Sequence, residues 1–280
     1  MADLDTIGAA LSSGATRLDE SPTARRDAEL LLMHVVGRDR AFLLTHPEAQ
    51  LNSAQSEIYK GWLARRARHE PVQYITGEQE FFGLKFRVNP DVLIPRPETE
   101  HLVEAVLARV ERDTPLRIAD VGTGSGAIAV ALAHALPQAQ VTALDISPAA
   151  LAVARSNAEI HCVSDRIRLL KSDLLEAVTG ERFDMIVSNP PYVAEDEVLE
   201  PQVREYEPAS ALFAGAEGLD IYRRLIPEAQ RALKPGGWLL LEIGHGQRDA
   251  LAKLLAAWDN VSFIADLQGI PRVACAQRAE

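Results

Sequence analysis

Only two cysteines, Cys162 and Cys275, occur in the 280 residues. They show no metal-ligand spacing and no disulfide framework, so a reducing cytoplasm is the expected setting. The seven histidines are scattered without a zinc-like pair, and no Ser/His/Asp or Cys/His set stands out. No metal site is expected. No uninterrupted apolar run is long enough to span a bilayer. The start, Met1-Ala2-Asp3-Leu4-Asp5, is acidic, which fits neither a secretory nor a mitochondrial leader. Positive charge is scarce as well. Against 40 Asp and Glu stand 29 Lys and Arg, a formal net charge of −11. Residues 1–75 are nearly balanced, with nine basic and ten acidic side chains, so residues 76–280 carry almost all of the deficit. Phosphate backbones are held by clustered cations, and this balance argues against direct nucleic-acid binding without excluding a local basic groove.

What is present is ordinary for a globular protein: 47% hydrophobic and 25% charged residues, over a length that suggests about two domains. Residues 1–75 read as a small helical recognition domain or cap. Ser21-Pro22 is a helix start, Ala28, Leu31, Leu32, Val35 and Val36 follow at helical spacing, and Gly37 closes the helix. A second helix opens at Ser53, with Ile58, Trp62 and Leu63 on one side and Arg65, Arg66 and Arg68 near its end, as a solvated terminus or a docking surface. Residues 76–95 read as a linker containing a β-hairpin around Gly83. Pro97 and the acidic residues after it start a helix reaching about Arg112; Arg96 either reaches an active site or pairs with a carboxylate. From Leu116 onward strands and helices alternate, which predicts a parallel α/β sheet of about seven strands within a domain spanning 96–280. Pro235-Gly236-Gly237 reads as a turn into a strand at Trp238–Ile243.

The chemistry gathers at strand ends. Leu116–Val121 is a strand, Gly122-Thr123-Gly124-Ser125-Gly126 a turn, and Ala127–Leu136 a helix. Glycines let the backbone pass close to a ligand, and a helix N-terminus receives polar or anionic groups. Asp145 ends the next strand, where a carboxylate suits ribose hydroxyls; Asp173 ends the third, where it can accept from an adenine amine. Gly122, Gly124 and Ala127 also satisfy the dinucleotide pattern, so a nicotinamide cofactor stays open. Asp120, directly before the glycines, suits an amine-bearing or cationic ligand better than a pyrophosphate, which favours S-adenosylmethionine. A fourth strand delivers Ser188-Asn189-Pro190-Pro191-Tyr192. The prolines end the strand and leave carbonyl acceptors without N–H neighbours. Asn189 adds an amide and Tyr192 a flat face, a combination that suits a planar NH2-bearing group.

The run Asp120–Gly126, with Asp145 and Asn189-Pro190-Pro191-Tyr192, resembles class I S-adenosylmethionine-dependent methyltransferases acting on planar nitrogen. The tetrapeptide alone is shared with enzymes that methylate adenine in DNA or RNA, which is the alternative reading. The helical N-terminal part, the hairpin from Gly77 to Val88, Ile94-Pro95-Arg96-Pro97-Glu98-Thr99-Glu100, Glu207-Pro208, Gly218-Leu219 and Leu241-Glu242-Ile243-Gly244 resemble the release-factor glutamine N5-methyltransferases (the HemK/PrmC family) over nearly the whole chain. The resemblance implies a Rossmann-like domain whose last strand is antiparallel. It implies S-adenosyl-L-methionine as cofactor, S-adenosyl-L-homocysteine as product, and the Gly-Gly-Gln glutamine of class I peptide chain release factors as substrate. Gly122–Gly126 would hold the methionine part, Asp145 the ribose, and Asp173 and Leu174 would lie by the adenine; some members carry an aromatic where this chain has Leu174. Asn189, Pro190, Pro191 and Tyr192 would bind the substrate amide. A cytoplasmic monomer, neither membrane-bound nor on nucleic acid, is expected. The stretch from Val193 to Pro208 holds Glu195, Asp196, Glu197, Glu200, Glu205 and Glu207 against one base, Arg204, and would meet a basic protein loop.

Overall fold

The computed structural model describes residues 6–280; the acidic start Met1–Asp5 lies outside them. The chain divides into two compact units, Met1–Gly77 with Glu200–Tyr206, and Glu78–Leu199 with Glu207–Glu280. No helix among the described residues is long and apolar enough to cross a membrane.

The first unit begins with α1 (Ile7–Arg17), α2 (Ala24–Val36), α3 (Arg40–Thr45), α4 (Ser53–Arg66) and α5 (Val72–Thr76). Their ends are set by local chemistry. Asp39 accepts the Phe42 N–H at 2.8 Å, Asn52 and Gln55 close a capping box, and Gly37 ends α2 at φ +68°. The core gathers Ile7, Ala28, Leu31, Leu32, Tyr59 and Leu63. The inward face of α4 differs from expectation by one position. Tyr59 and Leu63, four residues apart, are buried, whereas Ile58 is 47% exposed. Tyr59 fits inside because its hydroxyl donates to the Ala28 carbonyl at 3.2 Å. Two of the three arginines at the end of α4 are not a solvated terminus either; Arg68 is exposed. Arg66 is buried and donates to Asp27 at 2.8 Å, and Arg65 pairs with Glu70 at 2.5 Å.

The second unit opens with a hairpin, β1 (Glu78–Phe81) and β2 (Leu84–Arg87). Its two turn residues, Phe82 and Gly83, both have positive φ, as a tight hairpin of this hand demands. There follow α6 (Glu100–Leu107), β3 (Arg117–Val121), α7 (Ala127–Ala135), β4 (Gln140–Asp145), α8 (Pro148–Ile160), β5 (Ile167–Lys171) and β6 (Phe183–Ser188). The chain then supplies α9 (Pro201–Tyr206) to the first unit, where the Tyr206 hydroxyl donates to the Arg68 carbonyl at 2.6 Å. It returns for α10 (Asp220–Ala232), β7 (Leu233–Glu242), α11 (Arg248–Leu254), β8 (Asp259–Ala265) and β9 (Pro271–Gln277).

Two local expectations are corrected. A 3-10 turn, Pro97–Thr99, precedes α6, which stops at Leu107 and not near Arg112. Past that end, Arg109 folds back to donate to the Ala105 carbonyl at 2.7 Å and lies over the Trp238 ring. The Pro235-Gly236-Gly237 stretch is an irregularity within β7, beside a register shift against β6.

Seven strands form one sheet in the order β5-β4-β3-β6-β7-β9-β8. Strands β3 to β7 are parallel, and β9 runs antiparallel to both of its neighbours. Alternate residues of each strand feed opposite faces. Ile118, Met185 and Val187 enter the core shared with α6, α7 and α8, while Ala119 and Ile186 enter the core shared with α10 and α11. Burial on both faces is why these strands read as continuous apolar runs. Because β3 sits mid-sheet and the chain proceeds first to β4 and β5 and later to β6, the strand order reverses between β3 and β6. Open α/β sheets bind ligands at the carboxyl ends beside such a reversal.

Candidate active site

A cleft of about 280 Å³ lies there, entirely within the second unit. Gly122, Thr123, Gly124 and Ser125 line it from the turn after β3, Asp145 from the end of β4, and Asp173 and Leu174 from the loop after β5. Asn189 and Pro191 line it from the end of β6. Four strand ends thus bring most of the sequence-predicted residues together.

Asp145 organises the turn. Its Oδ2 accepts the Gly124 N–H at 2.8 Å, and its Oδ1 accepts the Ser147 N–H at 2.9 Å. Each carboxylate oxygen keeps a further lone pair for a ligand hydroxyl. Asp173 accepts from Arg224 at 2.8 Å, a cation that also lines the cleft. Leu174 is held at φ +47°. Asn157, fully buried on α8, donates to the Ser125 carbonyl at 2.8 Å and the Arg87 carbonyl at 3.0 Å, and accepts the Arg87 N–H at 2.8 Å. It ties the glycine turn to the hairpin.

Four predicted residues are not on the cleft wall. Asp120 is fully buried and accepts the Thr123 hydroxyl at 2.6 Å. Burial pushes its carboxyl up to about 7, with Asp145 adding repulsion and the Thr123 hydroxyl opposing. Gly126 packs against Ala154 of α8. Pro190 is buried, and Tyr192 stands behind the wall, its hydroxyl donating to Glu242 at 3.3 Å.

The Asn189 Nδ2 donates to Thr99 Oγ1 at 3.1 Å. The Ser188 hydroxyl donates to the Val121 carbonyl at 2.6 Å, pinning the end of β6 to the end of β3. Gln247 donates from Nε2 to the carbonyls of Tyr192 at 3.0 Å and Gly218 at 3.2 Å. Gly218 has φ +67°, and a Cβ there would come within 2.1 Å of the Tyr192 carbonyl oxygen, so only glycine fits beside the turn. Glu242 is buried, and burial pushes its carboxyl up to about 7 against the opposing hydroxyls of Thr99 and Tyr192. Arg96 pairs with buried Glu207 at 2.5 Å, and Glu207 also accepts the Ile94 N–H at 3.1 Å. Glu207 therefore does not belong to an acidic docking face. Thr99, Ser188 and Glu242 stand inside motifs legible in the sequence but without a role assigned there; Asn157 and Gln247 carried no signal.

The sheet order and the strand-end cleft define a class I methyltransferase domain. A family model described as "Methyltransferase small domain" matches residues 98–206, and one described as "PrmC N-terminal domain" matches residues 9–77. A release factor glutamine methyltransferase from Koribacter versatilis is 47% identical over 98% of this chain and 99% of that protein. One from Geobacter sulfurreducens is 48% identical over 89% of this chain and 88% of that protein. The chain belongs to the release factor glutamine methyltransferase family. Among solved structures, the Thermus thermophilus 16S rRNA N2 G1207 methyltransferase, determined with AdoMet and guanosine, matches with TM-score 0.53 at 23% identity, covering 72% of this chain and 49% of that chain. The catalytic domain of human Mettl16, determined with an RNA hairpin, matches with TM-score 0.55 at 18% identity, covering 82% of this chain and 83% of that chain. These two likenesses concern the fold.

Proposed function

We propose that this chain transfers a methyl group from S-adenosyl-L-methionine to the side-chain amide nitrogen (N5) of the glutamine in the Gly-Gly-Gln motif of class I peptide chain release factors. The observation that carries this reading is Asn189, held at the cleft wall beside the glycine turn, in a chain whose full-length relatives are named for that reaction. The cofactor fits the donor set of the cleft. Asp145 would take the ribose hydroxyls, the glycine turn the amino-acid tail, and Ile146 and Leu174 the apolar base, with Asp173 at its edge. When bound, S-adenosylmethionine supplies a methyl group made electrophilic by the sulfonium.

The rest of the chemistry falls to this chain's residues. An amide nitrogen is a poor nucleophile because its lone pair is delocalised into the carbonyl. Asn189 Oδ1, on the cleft wall, accepts from the substrate NH2 group, turns its lone pair toward the methyl and raises electron density on nitrogen. Positioning of this kind contributes roughly 7–11 kcal/mol in favourable cases. Pro191 forms the wall beside the amide plane, and Tyr192 supports it from behind. As the carbon–sulfur bond breaks and the carbon–nitrogen bond forms, the substrate amide would give one N–H proton to solvent water, leaving a neutral N-methyl amide and a neutral thioether. The helical unit recognises the release factor, and Glu195, Asp196 and Glu197 favour a basic protein surface over a phosphate backbone. The expected setting is the cytoplasm, as a monomer.

The test is mass spectrometry of a release factor after incubation with this protein and labelled cofactor, with RNA and DNA assayed in parallel. Methyl on the Gly-Gly-Gln glutamine is expected. Label in nucleic acid alone would replace this reading with the adenine one. Asn189→Ala should lower kcat by roughly 10²–10³, about 2.7–4 kcal/mol by analogy with an oxyanion-hole donor, while cofactor affinity holds. Wild-type turnover in that variant would reduce the strand-end motif to a structural turn.

A further inference from the structure

We propose that Arg224 and Glu228, one turn apart on α10, are positioning residues that hold Asp173 and Leu174 in the form that receives the base of the cofactor. Leu174 sits at φ +47°, a region that L side chains leave unless their surroundings fix them there, and such outliers gather at ligand clamps. Bonds inside the loop close its far side: the Glu176 N–H donates to the Asp173 carbonyl at 3.2 Å, and the Ala177 N–H to Ser172 Oγ at 3.0 Å. The residues on either side of Leu174 are tied instead to α10. Arg224 Nη2 donates to Asp173 Oδ2 at 2.8 Å, and Glu228 Oε2 accepts the Leu175 N–H at 3.1 Å. Residues four apart on a helix share a face, so the two bonds grip the loop just before and just after Leu174. Each bond does a separate job. Leu175 is buried, so its N–H needs the Glu228 carboxylate; without that acceptor the loop must open to reach water. The Arg224–Asp173 pair is partly exposed and contributes little to stability. What it fixes is the carboxylate. With Oδ2 engaged by the cation, Oδ1 is left as the acceptor for an exocyclic amine. Asp173, Leu174, Ile221 and Arg224 all line the cleft, so the helix that grips the loop also continues its wall.

This inference rests on S-adenosylmethionine as the cofactor, so its test has one arm with ligand and one without. In the first, the full-length protein is titrated with S-adenosyl-L-homocysteine and with S-inosyl-L-homocysteine, in which a carbonyl oxygen replaces the exocyclic amine. The wild type should prefer the adenine form about 10- to 150-fold, the worth of a hydrogen bond to a charged acceptor. Arg224→Ala should cut that preference about tenfold by weakening the adenine form alone, and Arg224→Lys, which keeps the charge, should restore part of it. Glu228→Ala should weaken both forms together about tenfold, and Glu228→Gln, whose amide oxygen accepts the same N–H, should restore both. In the ligand-free arm, hydrogen exchange at the Leu175 amide should be faster in Glu228→Ala than in the wild type and slow again in Glu228→Gln. An adenine preference unchanged in Arg224→Ala, or a Leu175 amide equally protected in Glu228→Ala, overturns the proposal. A wild type that binds neither form refutes the cofactor reading, and the amide exchange then decides by itself whether α10 holds the loop.

Discussion

Asp145 holds a loop in place and, on the proposed reading, a ligand as well. Its two oxygens hold the Gly124 and Ser147 N–H groups, and the residue lines the cleft. Hydrogen bonds from ribose to a charged carboxylate are worth about 1.5–3 kcal/mol. Asp145→Ala should therefore weaken S-adenosylmethionine binding roughly 10- to 150-fold in titration calorimetry while the protein stays folded. Unchanged affinity would remove Asp145 from the site. Gly122, Gly124, Asp145 and Asn189 were legible because a strand, a turn and a chemically marked residue are neighbours in sequence. Thr99 and Glu242 were not, for a different reason. Thr99 meets Asn189 across 90 positions and Glu242 meets Tyr192 across 50, so these contacts exist only once folding has brought β6, β7 and the Pro97–Thr99 turn together.

At the scale of elements, the strands were legible and one helix face was not. The strand runs at Ile118, Val141 and Met185 are apolar because both faces of the sheet are covered, a pattern local enough to read. On α4 the buried stripe is Tyr59, Leu63 and Arg66, so a search for apolar residues alone turns the helix the wrong way. Arg66 lies inside because Asp27 of α2 meets it there. Removing one partner of a buried pair leaves a charge without compensation, at a cost of about 3–5 kcal/mol. Arg66→Ala should lower the urea midpoint accordingly, and the double variant with Asp27→Ala should lose less than the sum of the two single losses. Strict additivity in that cycle would show that the α2–α4 pair is not coupled.

For the molecule as a whole, the buried carboxyls set a pH dependence. Asp120 and Glu242, pushed up to about 7, bind protons more tightly folded than unfolded. Their contribution is most favourable below the ordinary carboxylate range, declines as pH rises toward 7, and is flat well above it. Glu29, Glu181 and Asp266 are held low by arginine partners and act oppositely, losing their contribution under stronger acid. Between pH 6 and 8 the first pair governs, and stability should fall by roughly 1 kcal/mol for each group. Chemical denaturation at the two pH values measures it, and Glu242→Gln should remove about half of the slope. A steeper or unchanged slope in that variant would place the effect elsewhere. On the domain proposal, a chain beginning at Gly77 should retain S-adenosylmethionine binding and methylate a release factor poorly. Full activity on the intact factor would make the helical unit a cap.

The division of the chain bears also on the order in which the protein is made. The helical unit draws on Glu200–Tyr206, and the Tyr206 hydroxyl reaches the Arg68 carbonyl. That segment leaves the ribosome about 120 residues after Gly77. At about 5–20 residues per second, the first five helices wait roughly 6–25 s for their last piece. The helical unit, synthesised before the sheet, is therefore among the later parts to be completed, and a nascent chain arrested before Pro201 should expose the Arg68 region to protease where the finished protein protects it.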